Sequence, residues 1–308
     1  MKIIGKRDEF LDWLEKLSVG GTFETATVKI TPTGIVSSNM GDVIYRYLKY
    51  TKLKTVVDEE GEIINFQVDK LYQTIDKLFS DDDKITVETT KENGDEVLVI
   101  SSKNITRKQP LFSIDENAKD VDRLRFKVEN NTPFLRGGEI EMKNKVILSK
   151  LFIKKMIDVS SLQDIISRWR LSIKNSKFIV EVGDVVNGKD IVKLQPEKVI
   201  VRADYDVTVD FGLQLKNISK IFKTDVTVFL ENNLPGIFHE YTMNYDLWIM
   251  VSHIVPEDLI EEEIKAEQEI AMAEGEAEAM MQAEEEAKAE EIAQQELEFE
   301  MSQGAPEE

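Results

Sequence analysis

The 308-residue chain contains no cysteine. Disulfides, thiol nucleophiles and thiolate metal sites are therefore excluded, and the composition fits a reducing compartment. Only two histidines occur, His239 and His253. Each falls in or beside a predicted strand and reads as a structural residue rather than a metal ligand. No run of about 18 apolar residues exists, so no membrane-spanning helix is predicted. The opening stretch, MKIIGKRDEFLDW, has neither the apolar core nor the small-residue cleavage site of a secretory signal. Neither the phosphate loop GxxxxGK nor the dinucleotide fingerprint GxGxxG is read in the sequence. The acidic pairs lack the enclosed setting that perturbs a carboxylate for catalysis. Asp81, Asp82 and Asp83 follow a predicted helix and read as a solvated turn. The expectation is a non-enzyme with no catalytic residues, cofactor or metal.

Charge is present in quantity, but unevenly. The net charge is −20. Residues 257–308 hold 20 acids against two lysines, a net of −18. Residues 1–256 hold 39 acids and 37 bases, a net of −2. The acidity belongs to the tail, and the remainder is free to carry a basic face. The tail is rich in Glu, Ala, Gln and Met, opens at Pro256, and shows no sustained heptad. It reads as a solvated helix or a disordered acidic segment.

The body reads as one unit written twice. FLDWLEKL at 10–17 meets FIKKMIDV at 152–159, and GDV at 41–43 meets GDV at 183–185. VDKLYQTIDKLF at 68–79 meets FGLQLKNISKIF at 211–222. Each copy reads helix, strands, helix, strands, an α+β pattern. The boundaries follow: 1–115 and 139–256 for the copies, 116–138 as a polar connector without a clean period, and 257–308 as the tail.

Three of the four predicted helices carry lysines away from their apolar sides. Lys70 and Lys77 lie seven apart on the second helix. Lys150 and Lys154 lie one turn apart on the third. Lys216, Lys220 and Lys223 fall at i, i+4 and i+7 on the fourth, read as a helix over 213–224. Lysine is a mobile point charge suited to phosphates at varied positions. A lysine layer therefore suits sequence-independent contact with a nucleic-acid backbone. The first helix departs from this, with Asp8, Glu9, Asp12 and Glu15 outnumbering Arg7 and Lys16.

The order of these elements, with GIVSSNMGDVIYRYL, VDFGLQLKNISKIFKTDVTVFLENNLPGIFHEY and LWIMVSHIVPED, resembles the sliding-clamp family typified by proliferating cell nuclear antigen. The resemblance covers about residues 1–257; the tail has no counterpart in it. It implies the DNA-clamp fold, with two similar domains per chain, sheets outside and helices lining a ring. It implies an intracellular homotrimer on duplex DNA that tethers DNA polymerase and is loaded by a clamp loader. It carries Lys70, Lys77, Lys150, Lys154, Lys216, Lys220 and Lys223 to the DNA-facing lining. It carries Met40, Ile44, Leu124, Phe126, Met250 and Ser252 to a pocket for client peptides. It carries Leu111, Phe112 and Ile114 in a strand over Gln109–Asp115, with Ile191, Val192 and Leu194, to the subunit interface. The alternatives are a subunit of a heterotrimer, a monomeric clamp-like factor, or an acidic-tailed adaptor that closes no ring.

Overall fold

Segments with apolar residues three and four apart coil in this chain, and segments that alternate extend. The computed structural model describes residues 1–114, 120–161, 168–185, 188–196 and 199–254. The tail thus lies outside the described residues. In the first half the order is β1 (Lys2–Lys6), α1 (Arg7–Ser18), β2 (Thr25–Thr31), β3 (Gly34–Met40), β4 (Ile44–Tyr50), β5 (Lys54–Val56) and β6 (Glu62–Gln67). Then come α2 (Val68–Leu78), β7 (Lys84–Glu92), β8 (Asp95–Ser101) and β9 (Thr106–Pro110). A middle segment holds β10 (Lys127–Glu129), β11 (Thr132–Leu135) and β12 (Ile140–Glu141). The second half runs β13 (Lys145–Leu148), α3 (Lys150–Ser160), β14 (Arg168–Lys174), β15 (Lys177–Asp184), β16 (Lys189–Leu194) and β17 (Ile200–Arg202). It closes with β18 (Val207–Phe211), α4 (Gln214–Ile221), β19 (Val226–Phe229), β20 (Gly236–Tyr241) and β21 (Tyr245–Val251).

The strand pairing of the first half recurs in the second. β1 pairs with β5 and β7, as β13 pairs with β17 and β19. β2 pairs with β3 and β6, as β14 pairs with β15 and β18. β3 pairs with β4, as β15 pairs with β16. The ladders β7–β8–β9 and β19–β20–β21 also correspond. One further pairing joins the halves: β21 runs antiparallel to β4, from Tyr245 opposite Tyr50 to Val251 opposite Ile44. The result is a nine-stranded sheet, β17-β13-β19-β20-β21-β4-β3-β2-β6. β9 ends the five-stranded sheet and β16 ends the four-stranded one.

Side chains alternate across a strand, so the joining strands have two faces. Ile44, Leu48 and Tyr50 of β4, with Leu247, Ile249 and Val251 of β21, enter the main core. There they share a cluster with Trp13 and Leu17 of α1, Leu71 and Ile75 of α2, Phe152 and Met156 of α3, and Leu215 and Ile218 of α4. Tyr45 and Trp248 turn the other way, into a second cluster with Phe126, Leu135, Met142, Phe229 and Ile237. The nine-stranded sheet thus has helices on one face and the middle segment on the other. Arg46 lies on the helix side, fully buried, with Nη2 donating to Ser37 Oγ at 2.9 Å and its plane over Phe23. Burial pushes its pKa down to about 9.

Two expectations change here. The middle segment is ordered into strands where the sequence reads as an irregular connector. Asn130 and Asn131, at φ 50° and 59°, make the two-residue turn between paired Glu129 and Thr132. Asparagine tolerates that left-handed region, which a tight hairpin requires. The strand expected over Gln109–Asp115 ends instead at Pro110. Proline has no N–H for a ladder and belongs at an edge or an end.

Truncation at the joint should be costly. Leu247→Ala, at a fully buried site, is expected to lower unfolding free energy by about 2–5 kcal/mol. Arg46→Met should match or exceed the wild type, since a buried cation whose side chain has one hydrogen-bond partner among the described residues is replaced by an apolar chain of similar length. Urea unfolding of the two variants beside the wild type measures both.

Candidate nucleic-acid interface

Each helix buries its apolar stripe and leaves its polar side outward. Lys70, Lys77, Lys150, Lys154 and Lys220 are exposed, and Lys216 is half-buried. No salt bridge ties any of these six to a described residue; the ion pairs use other lysines. Each is therefore available to an external anion. Ser149 caps α3 through its side-chain oxygen, which accepts from Phe152 N at 3.3 Å and fixes where Lys150 and Lys154 begin.

Lys223 does not complete the expected stripe. α4 ends at Ile221, and Phe222 is extended at φ −73°, ψ 127°. The cause is Glu240, which is fully buried. Its Oε1 accepts from Lys223 N at 2.6 Å, from Thr224 N at 2.5 Å and from Thr224 Oγ1 at 3.0 Å. Those donors leave the helical ladder for a carboxylate. The Lys223 ammonium then lies 2.7 Å from Glu15 Oε2 on α1.

The acidity of α1 is likewise matched within the chain. Asp8 and Glu9 face Lys52 at 3.8 and 3.9 Å. Glu9 also accepts from Lys6 N at 2.9 Å, at the helix start where a carboxylate is favourable. Asp12 pairs with Lys16 at 2.5 Å and accepts from Tyr50 Oη at 3.0 Å. Lys16 is fully buried, its ammonium 4.3 Å from the centre of the Tyr245 ring. Tyr245 in turn stacks on Tyr50, 6.1 Å between centres. The acidic helix is thus clamped over the joint between the halves. Burial, aided by Asp12, pushes the Tyr50 hydroxyl well above the ordinary phenol range. Burial, aided by Glu240, does the same to Tyr245.

On the opposite face the six residues expected to form a client pocket divide. Phe126 is buried in the second cluster, edge-on to Tyr45 and Trp248, and Leu124 and Met250 pack against that cluster. Met40 is exposed at the end of β3, with Arg125 Nη1 2.8 Å from its sulfur. Ser252 is half-buried, its N–H donating to Val43 O at 2.9 Å. Ile44 is a correction: it is buried in the main core, on the helix side of the sheet. Tyr45 occupies the outward position, its hydroxyl bonded to the backbone at Arg123 and Arg125. The alternation within IYRYLKY and YDLWIMV is the signal that assigns Tyr45, Tyr47 and Trp248 to this face.

At the free edges, Phe112, Ile114 and Ile191 are exposed, while Leu111 and Val192 pack partly into the core. Leu194 is buried in the core, so it is not a contact residue on the open edge. Leu111, Phe112 and Ile114 follow β9 rather than forming it. His239 lies on the outward face, with Nε2 2.9 Å from Asp246 Oδ1. His253 is half-buried, and burial lowers its pKa. Asp83 closes the 80–83 turn by accepting from Ser80 N at 2.7 Å. That bond, with the Ser80 hydroxyl, lowers its pKa.

No protein-family model matches the sequence. The GTPase Der of Thermosipho melanesiensis is 24% identical over 266 residues, 78% of this chain and 60% of that protein. The chain thus spans less than two thirds of that relative. Gly183, Gly188 and Lys189 do have GxxxxGK spacing, which corrects the reading that this motif is missing. However, Asp190 stands where Ser or Thr would bind magnesium. The segment also joins strand to strand, with Asp184 opposite Lys189, where a phosphate loop joins strand to helix. Among solved structures, A. fulgidus PCNA bound to the C-terminal region of FEN-1 matches at TM-score 0.62 and 15% identity, covering 83% of this chain and 98% of that one. The PCNA2–PCNA3 complex of Sulfolobus tokodaii matches at TM-score 0.62 and 13% identity, covering 82% of this chain and 99% of that one. The chain has the fold of the PCNA sliding clamps.

The tyrosines at the joint generate a pH prediction. The folded state holds their protons where the unfolded chain releases them, above about pH 10. Stability should therefore fall as pH climbs past that value. Urea midpoints at successive alkaline pH values should show the decline, and it should be smaller in Tyr50→Phe/Tyr245→Phe.

Proposed function

We propose that this chain is a sliding clamp: it assembles into a ring, encircles duplex DNA and tethers polymerase and other replication proteins, without being an enzyme. The carrying observation is the pairing pattern. β21 of the second half joins β4 of the first within one chain. By the repeat, the counterparts of that pair are β9 and β16, and among the described residues both end their sheets unpaired. Open edges want partners. β9 of one copy on β16 of the next repeats the internal joint between chains, head to tail, and such contacts close into rings. We propose three identical chains per ring and two clamp domains per chain, 1–115 and 139–256. Phe112, Ile114 and Ile191 stand beside these edges.

In this reading the helix layer faces the DNA. Lys70, Lys77, Lys150, Lys154, Lys216 and Lys220 meet phosphates, and Lys223 holds α1 in place. Contacts remain weak and mobile because encirclement supplies the lifetime. Client peptides dock beside β10–β12, around Met40, Leu124, Phe126 and Met250, with Tyr45 replacing Ile44. The A. fulgidus relative, with the FEN-1 C-terminal region bound, supports this class of partner. The acidic tail, outside the described residues, gathers a basic loader or polymerase.

Retention on closed circular duplex after loading, with release on linearisation, is the expected result; an adaptor would ignore DNA ends. Changing Lys150, Lys154, Lys216 and Lys220 to Ala should weaken DNA contact. It should also flatten its salt dependence by about one counterion per lost phosphate contact. Unchanged affinity and slope would remove these lysines from the lining.

A further inference from the structure

Beside the middle segment, the outward face of the nine-stranded sheet contains a groove of about 800 Å³. Of the six residues assigned by resemblance to the client pocket, only Leu124 lines it. The floor is aromatic. His239 and Trp248, opposite one another in the ladder, stack at 3.6 Å and cover each other. Two residues along, on the same face, Tyr241 lies opposite Asp246 and is 69% exposed. An exposed tyrosine on a strand, beside a covered aromatic pair, is a stacking platform.

Carboxylates flank that platform. Asp246 Oδ1 accepts from His239 Nε2 at 2.9 Å, and its Oδ2 has no partner among the described residues. Asp225 Oδ1 accepts from Lys150 N at 3.1 Å, and its Oδ2 likewise has no described partner. Thr227 pairs with His239, so Asp225, two residues earlier, is level with Tyr241. Both carboxylates line the groove, against a single cation, Lys145. Lys145 shows what the floor accepts: its ammonium lies 5.9 Å from the centre of the Phe229 ring.

We infer that the groove takes a basic peptide segment of a partner protein, with an arginine side chain stacked on Tyr241 between Asp225 and Asp246. The guanidinium is planar, so it stacks on a ring while its edge donates to carboxylates. An ammonium can do one or the other well. The site shares Leu124 with the client pocket but centres on Tyr241, and the inference holds whether or not the chain closes a ring.

The test titrates the full chain calorimetrically with acetyl-Leu-Arg-amide and its Lys and Gln counterparts. Saturable binding of the Arg probe is expected, with a dissociation constant on the order of 1 mM, about threefold weaker for Lys and at least about tenfold weaker for Gln. Tyr241→Ala should reduce Arg-probe affinity about fivefold or more, and Asp246→Asn similarly. Asp246→Asn also loosens His239, so the exposed Tyr241→Ala decides the matter. The inference is overturned if the Gln probe binds as well as the Arg probe. Wild-type affinity in Tyr241→Ala, or absence of saturable binding, overturns it too.

Discussion

The architecture depends on one strand pairing, β21 against β4. Seven residue pairs make two repeated halves into a single sheet, and the alternation across them sorts every neighbouring side chain onto one of two faces. Everything functional is defined relative to that joint. The helices bury against one face and hold their lysines outward. The middle segment packs Phe126 onto Tyr45 and Trp248 on the other. The same joint, transposed by the repeat, leaves β9 and β16 as the open edges.

Charge is arranged around that joint. An acidic helix in a DNA-facing layer would repel phosphate, yet the acids of α1 are each occupied by a cation of the same chain. Lys16 is buried between Asp12 and the Tyr245 ring, and Lys223 leaves α4 to reach Glu15. Partly exposed ion pairs of this kind contribute little to stability. Their consequence is electrostatic: they cancel the negative field of α1 and leave the lysines of α2, α3 and α4 to set the sign of the layer.

Much of this was legible in the sequence, because repetition and periodicity are local signals. The apolar stripes at Phe10, Leu14 and Leu17 and at Leu71 and Ile75 gave helices close to those observed. The paired segments 10–17 and 152–159 both proved to be helical, and GDV precedes β4 and β16 in the two halves. What was not legible came from distant partners. Lys223 fits a helical stripe until Glu240, from another strand, captures its N–H. Ile44 and Tyr45 exchange roles through strand parity, which is fixed only once β21 sets the register. The hairpin at Asn130–Asn131 carried a turn signal that its polar surroundings obscured.

The central claim is that the transposed joint closes a ring, and the absolute mass of the protein in solution tests it most directly. Light scattering across a dilution series measures mass independently of the shape that distorts elution volume. The account predicts the mass of three chains, held over the concentrations at which the protein meets DNA. A single-chain mass at every concentration would contradict it, because β9 and β16 would then be edges that no copy of this chain covers.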